Sequence, residues 1–217
     1  GGITIGSNGT VSMETNAVVY AGDVASSSTG LTADLVVNGC LEVDGGRLYV
    51  ADLAHFGTGA TFDHDSGELH AGTHASSSGG LQVDAQASID IEGGTIYVYE
   101  DIKVIALSGS ASRDWSGGTI QMDVYGSTSP TGAVTIDVED TVDNFNIDKD
   151  STGNPVTLLD NDLSIAGLFR VMSGKLTVTD AAAARTLTLN GDPSTHTIAS
   201  GAELKISSTS GGIAALT

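Results

Sequence analysis

A short internal repeat constrains the fold of this chain more than any other feature of its sequence. Leu41–Val50 aligns without a gap with Ile89–Val98, and Phe169–Val178 follows the same template. The template places an apolar alternation on each side of a Gly-Gly or Ser-Gly pair, which predicts a strand, a tight corner and a second strand. Weaker copies occur at Phe62–Ala71 and Trp115–Met122. Glycine suits such a corner because it adopts positive φ without a Cβ clash.

The spacing of these corners indicates how the strands are connected. The second glycine of each corner lies at position 46, 67, 94, 118 or 174, so the steps are 21, 27, 24 and 56 residues. The last step equals two of 28 residues if one copy has decayed. A period in the twenties is about one coil of a parallel β-helix, whereas antiparallel hairpins turn about every 8–12 residues. The sequence therefore predicts an all-β chain, a single parallel β-solenoid domain over residues 1–217 with short strands and glycine-rich corners. An antiparallel β-sandwich is the alternative.

Composition narrows the range of partners. The chain has 27 Asp and Glu against 8 Lys and Arg, a formal net charge of −19. A surface of this charge repels phosphate, so we predict no nucleic-acid partner. No apolar run approaches the roughly 20 residues that span a bilayer, so we predict no membrane insertion. The single cysteine, Cys40, excludes an intramolecular disulfide and a cysteine-based zinc cluster.

The second half of the chain carries a family resemblance. Asn144–Lys149, Val156–Leu159 and Asp162–Gly167 lead into the Phe169–Val178 copy. Together they resemble the degenerate β-solenoid repeats of large secreted bacterial and archaeal surface proteins, including adhesins and autotransporter-type passengers. The resemblance is clearest over residues 31–50, 81–122 and 142–191. It implies a solenoid fold and a secreted, cell-surface location, and it implies no catalytic residues.

Acidic residues concentrate in one stretch of this second half. Hard cations such as Ca²⁺ take six to eight oxygen ligands, which loops at successive coil corners could supply. The glycine-rich nonapeptide calcium repeat and the EF-hand spacing are both absent from the sequence. Solvated outward positions, scattered Ca²⁺ sites and paired carboxylates for glycoside hydrolysis are the three interpretations of the stretch, and Ca²⁺ is the cofactor that it suggests. The candidate ligands are Asp137, Glu139, Asp140, Asp143, Asp148 and Asp150.

Histidines and aromatic residues give no catalytic constellation. His64 takes the template position of Val43 and Ile91, so we expect it to face inward as a hydrogen-bonded core histidine. A transition-metal site that uses His64, His70 or His74 is the alternative. No Gly-x-Ser-x-Gly elbow precedes a helix, and no aromatic platform for sugar rings is predicted from the few candidates. We therefore predict that the chain is not an enzyme. Those aromatic candidates are Trp115, Tyr97, Tyr99 and Tyr125.

The two ends of the repeat pattern predict self-association. Strand pattern begins at Ile3 and Ile5 and continues through Leu204 and Ile206, and no amphipathic helix or proline-bearing cap is evident at either terminus. An uncapped strand edge recruits another chain, and head-to-tail contacts that do not close give an open filament. We therefore expect a homopolymer, an extracellular structural protein that forms a filament, sheath or surface layer. An adhesin-type stalk or passenger that binds a receptor or glycan is the alternative, and a polysaccharide-active β-helix enzyme is a third.

Overall fold

The computed structural model describes residues 2–22, 34–73, 79–124, 134–149, 156–159, 161–179, 185–207 and 215–216. These residues form strands and a single 3₁₀ turn at Pro193–Thr195, with no α-helix in the described ranges. None of the described segments forms a helix that is long and apolar enough to cross a membrane. The strands are β1 (Ile3–Ile5), β2 (Thr10–Glu14), β3 (Val18–Ala21), β4 (Leu35–Val37), β5 (Cys40–Val50), β6 (Leu53–Phe56), β7 (Thr61–Ala71), β8 (Gly80–Val83), β9 (Ser88–Ile91), β10 (Thr95–Val98), β11 (Asp101–Val104), β12 (Arg113–Asp114), β13 (Thr119–Met122), β14 (Val134–Val138), β15 (Thr141–Val142), β16 (Asn144–Asp148), β17 (Val156–Leu159), β18 (Leu163–Ile165), β19 (Phe169–Ser173), β20 (Lys175–Thr179), β21 (Thr186–Leu189), β22 (Thr197–Ile198), β23 (Glu203–Ser207) and β24 (Ala215–Leu216).

The chain winds as a solenoid with three faces, and each coil contributes one strand to each face. The first face is a nine-stranded sheet in the order β1-β4-β6-β8-β11-β14-β17-β20-β23. The long strands β5 and β7 run through both the second and the third face. On the second face, β2 pairs with the first half of β5, and β9 pairs with the first half of β7. On the third face, β3 pairs with the second half of β5, and β10 pairs with the second half of β7. The third face continues through β13, β16, β19 and β22.

Every described strand pair is parallel, which confirms the β-solenoid and shows that the antiparallel sandwich is wrong. The predicted period is also visible on the third face. Leu48, Leu69, Ile96 and Ile120 are direct neighbours in successive coils, at steps of 21, 27 and 24 residues. Each of these side chains is at most 2% exposed. Neighbouring coils therefore bury one continuous apolar row, which a single coil could not do alone.

The corner between the second and third faces shows why the template contains glycine. Gly67 has φ of +94°, and a Cβ there would clash with the main-chain oxygen of Gly46 in the preceding coil. Only glycine tolerates that combination of positive φ and close backbone approach. The glycine of the repeat is therefore required at a corner where the main chains of successive coils are in direct contact.

The Phe169–Val178 copy lies at a different corner from the other copies, contrary to the alignment. Leu41 is on the second face and Leu48 on the third, whereas Phe169 is on the third face and Leu176 on the first. The step of 56 residues therefore does not contain one decayed copy of the same corner. Gly174 has φ of +74°, as Gly94 does, so two different corners use the same local geometry.

Candidate association surfaces

The N-terminal end of the solenoid exposes positions that are core positions in later coils. Val11 precedes Leu41, Phe62 and Ile89 in one inward row of the second face. Those three side chains are 1% exposed, whereas Val11 is 39% exposed. Ile3, at the start of an inward row on the first face, is partly buried, and Ile5 is buried. Among the described residues, the first coil therefore presents apolar side chains with a neighbouring coil on one side only.

The C-terminal end shows the same change along its rows. Ile206 follows Val178 on the first face, and Ile198 follows Val171 on the third face. Val178 and Val171 are fully buried, whereas Ile206 is 41% and Ile198 is 50% exposed. Leu204 is partly buried. The sequence-predicted association residues Ile3, Ile5, Leu204 and Ile206 all occupy inward positions in the first and last strands of the first face.

Charge is distributed unevenly between these ends and the sides of the solenoid. Residues 2–22 carry one formal charge, on Glu14, although the chain as a whole carries −19. Residues 185–207 carry two positive and two negative charges that cancel, on Arg185, Lys205, Asp192 and Glu203. The repulsive charge therefore lies on the coils between the ends.

A ladder of carboxylates runs along the outside of the second face. Glu42, Asp63, Asp90 and Asp114 are direct neighbours in four successive coils. Burial raises the pKa of Asp63 above its ordinary value, and the negative charges of Asp65, Asp90 and Glu42 raise it further. Like charges directly opposite each other on neighbouring strands destabilise a sheet. This acidic ladder therefore marks a face that repels a second copy of itself.

The predicted Ca²⁺ ligands are distributed over several coil positions. Asn161 donates hydrogen bonds of 3.1 Å to both Asp137 and Glu139, so the structure brings these two together around a side-chain amide. Asp148 lies on the third face and accepts a bond of 2.8 Å from the hydroxyl of Ser173, its neighbour in the next coil. Asp150 lies outside the described residues. Among the residues that the structure describes, no three His, Cys, Asp or Glu side chains form a group that could hold a metal ion.

Asp140 and Asp143 lie where the ladder of the second face is interrupted. The large sheet ends at β12, and a separate four-stranded sheet begins at β15, although the first and third faces continue without a break. We call this interval the second-face break. Asp140 Oδ2 accepts a bond of 3.3 Å from the Trp115 indole and lies 3.6 Å from Arg113 Nε. Asp143 Oδ2 accepts a bond of 3.1 Å from the main-chain N–H of Gly117. At this break the Asp143 carboxylate binds a main-chain N–H of the preceding coil, and the Asp140 carboxylate contacts two side chains of that coil.

Arg113 is an unexpected residue at an inward position. It follows Ile89 in the row that starts at Val11, and its side chain is 4% exposed. Its Nη2 donates a bond of 2.6 Å to the main-chain oxygen of Asp84, and Asp140 balances its charge. Burial lowers the pKa of Arg113 and raises that of Asp140, while their mutual attraction opposes both shifts.

His64 occupies the inward position that the template predicts, between Val43 and Ile91, and is fully buried. No hydrogen bond of normal geometry reaches either ring nitrogen among the described residues. Burial lowers the pKa of His64 to about 4, although the nearby main chain of Gly93 and the charge of Asp65 oppose part of this shift. Lys149 is also fully buried, and its amine donates to the main-chain oxygens of Tyr99 and Asp123. Burial lowers its pKa to about 8.

The third face carries an aromatic stack that the sequence interpretation missed. Tyr20, Tyr49, His70 and Tyr97 are outward neighbours in successive coils, with ring centroids 5.0, 4.4 and 4.6 Å apart. The rings stack face to face, so the inner rings of Tyr49 and His70 are covered on both faces by their neighbours. His70 Nδ1 lies 2.6 Å from the Tyr99 hydroxyl and Nε2 3.0 Å from Glu68, and His74 lies outside the described residues. The signal was present in the sequence, because Tyr49 and Tyr97 share one template position.

Comparison of the chain with family models, with curated proteins and with solved structures finds no match. The class of protein is therefore defined by the fold, and it is a parallel β-solenoid with apolar rows exposed at both ends.

Proposed function

We propose that this chain is an extracellular structural subunit that associates with copies of itself through the two ends of the solenoid, into a filament, sheath or surface layer. One observation carries the proposal. Positions that are 0–1% exposed within the coil stack become 39–50% exposed at its ends, at Val11, Ile198 and Ile206. The extracellular location rests only on the resemblance of the repeats to those of secreted surface proteins.

Physical chemistry gives end-to-end contact a clear driving force. Full burial of one Val, Leu or Ile side chain stabilises a contact by about 1.5–3 kcal/mol, and several such side chains lie at each end. The unpaired main-chain groups of an edge strand also gain partners when a second strand is added. Charge repulsion opposes end-to-end contact only weakly, because the formal charges of residues 185–207 cancel and residues 2–22 carry one negative charge.

The experiment compares charge introduced at an end with the same charge introduced on the side. Val11→Glu and Ile206→Glu place a carboxylate in an exposed row at either end. Leu107→Glu is the matched control, since Leu107 is 45% exposed in the connection between β11 and β12, away from both ends. Sedimentation velocity and negative-stain microscopy then follow the size of the particles from micromolar to millimolar concentration.

We expect the wild-type chain and Leu107→Glu to form particles that lengthen with concentration, and both end variants to remain monomeric. A wild-type chain that stays monomeric over the whole range would overturn the proposal. Equal loss of association in Leu107→Glu would also count against it, because the effect would then reflect net charge. Far-ultraviolet circular dichroism establishes that each variant keeps its β structure.

A further inference from the structure

The parallel ladder gives the two ends of the solenoid different edges. On the first face, one edge of β1 pairs with β4 in the following coil. The opposite edge of β1 is equivalent to the edge by which each later strand of this face pairs with the strand of the preceding coil. At the opposite end, β23 pairs with β20 in the coil before it and presents the edge that earlier strands turn toward the following coil. These two edges are complementary, because together they have the same main-chain groups as each pair of neighbouring strands within the face.

Strand direction distinguishes a head-to-tail joint from a symmetric one. A two-fold axis between two N-terminal ends reverses the strand direction across the joint and exchanges the order of the faces. All the described pairs within the chain are parallel, so such a joint repeats none of them. A head-to-tail joint continues the existing pairing and the existing cross-section, and it is a heterologous contact that does not close.

Apolar side chains fix the register of the joint. Ile3 and Ile5 point inward from β1, and Leu204 and Ile206 point inward from β23. When Ile3 lies opposite Leu204 and Ile5 lies opposite Ile206, all four side chains gain an apolar neighbour. The outward Thr4 then lies opposite Lys205, and both of these side chains are exposed. A slip of one residue would turn the apolar pairs outward, and a slip of two residues would leave two of these four side chains without an apolar neighbour in the joint.

Charge favours growth along the axis over side-by-side contact. The ladder of Glu42, Asp63, Asp90 and Asp114 lies on the side of the solenoid, and two such sides repel each other. The joint itself brings together Glu14 at one end and a coil with cancelling charges at the other.

We infer that the partner of each end is a second copy of this chain bound head to tail, with β1 of one copy pairing in parallel with β23 of the next and Thr4 opposite Lys205. This inference rests on the proposed function and adds the polarity and register of the joint. It also makes the assembly a single-file filament at low ionic strength.

Cysteine cross-linking between two differently labelled variants tests the polarity. Thr4→Cys and Lys205→Cys are prepared separately in a Cys40→Ala background, so that the only thiol is the introduced one. A disulfide requires Cα atoms within about 7 Å, a distance that directly opposed residues of paired strands satisfy. The two variants are oxidised alone and as a mixture, and the products are separated by non-reducing electrophoresis and identified by mass.

We expect a cross-linked dimer of the two variants in the mixture, and we expect neither variant to form a cross-linked dimer when it is oxidised alone. A mixture of Thr4→Cys with Leu107→Cys is the control, and it should give no mixed dimer, because position 107 lies on the side of the solenoid. Dimers of Thr4→Cys with itself would overturn the polarity. Absence of the mixed dimer would overturn the stated register when sedimentation of the same samples shows association. Absence of association in those samples would overturn the proposed function instead.

Discussion

Asp143 accepts a hydrogen bond of 3.1 Å from the main-chain N–H of Gly117 across the second-face break. No strand pairing joins β12 to β15 there, so this side chain holds two coils together where the ladder does not. The same oxygen accepts a bond of 2.9 Å from the Asn144 side chain, and Asn144 in turn donates to the main-chain oxygen of Gly118.

Asp143→Ala removes this link, and we expect it to lower the free energy of unfolding by about 1 kcal/mol, the usual net worth of a hydrogen bond. Asp143→Asn is the matched control, since its amide oxygen can still accept from Gly117. Urea unfolding followed by circular dichroism measures the difference. Equal stability of the alanine variant and the wild type would show that the neighbouring faces and the contacts of Asp140 with Arg113 and Trp115 hold the coils together without Asp143.

The pair of Arg113 and Asp140 predicts a larger effect at the same break. Their side chains are 4% and 9% exposed, so the loss of one partner leaves the other as a buried uncompensated charge. We expect Arg113→Met to cost about 3–5 kcal/mol at neutral pH. The double variant Arg113→Met/Asp140→Asn should recover part of that cost, because the remaining carboxylate is then also removed. Denaturant unfolding of the wild type, of Arg113→Met, of Asp140→Asn and of the double variant gives the coupling energy. Additive costs of the two single substitutions would contradict a paired interaction.

The apolar rows could be predicted from the sequence because their signal is local. Leu48 and Ile96 share a template position, and the structure makes them members of one buried row. His64 was placed inward by the same logic, correctly. The lack of a hydrogen bond of normal geometry to its ring could not be foreseen, because the template says nothing about what surrounds the ring inside the coil.

Other features depend on contacts between coils of unequal length. Arg113 reads locally as a polar loop residue, and it can occupy an inward row only because Asp140 arrives in the following coil to balance its charge. The Phe169–Val178 copy follows the same template as Ile89–Val98 and still lies at another corner, where Gly174 has the same φ of +74° as Gly94. Local pattern therefore predicts strands and corners, whereas the assignment of a corner to a face requires the lengths of all the preceding coils.

The acidic ladder predicts that one carboxylate can be removed with a gain in stability. Asp63 lies between Glu42 and Asp90 on adjacent strands, and its pKa is raised by burial and by neighbouring carboxylates. We expect Asp63→Asn to raise the free energy of unfolding by about 0.5 kcal/mol at pH 7 and low salt. The gain should shrink as salt screens the ladder. A gain that is independent of salt would mean that the amide packs better, and a loss would contradict repulsion along the ladder.

His64 predicts a loss of stability in mild acid. Its pKa is about 4 in the folded chain and 6.5 as the ordinary value, so the unfolded chain binds the proton more readily between these limits. Stability that is complete above pH 6.5 is therefore lost as the pH falls toward 4, with a total of about 3 kcal/mol for a difference of this size. The cause is the cost of placing an imidazolium ion among Phe62 and the apolar row.

His64→Val tests this, because valine occupies the equivalent position at Val43. Denaturant unfolding of the wild type and the variant at several pH values between 4 and 7 isolates the contribution of the imidazole, since the carboxylates titrate in both proteins. We expect the stability of the variant relative to the wild type to increase steadily as the pH falls through this window. A difference that stays constant with pH would show that His64 keeps its ordinary pKa in the folded chain, and that its ring reaches a proton acceptor or solvent.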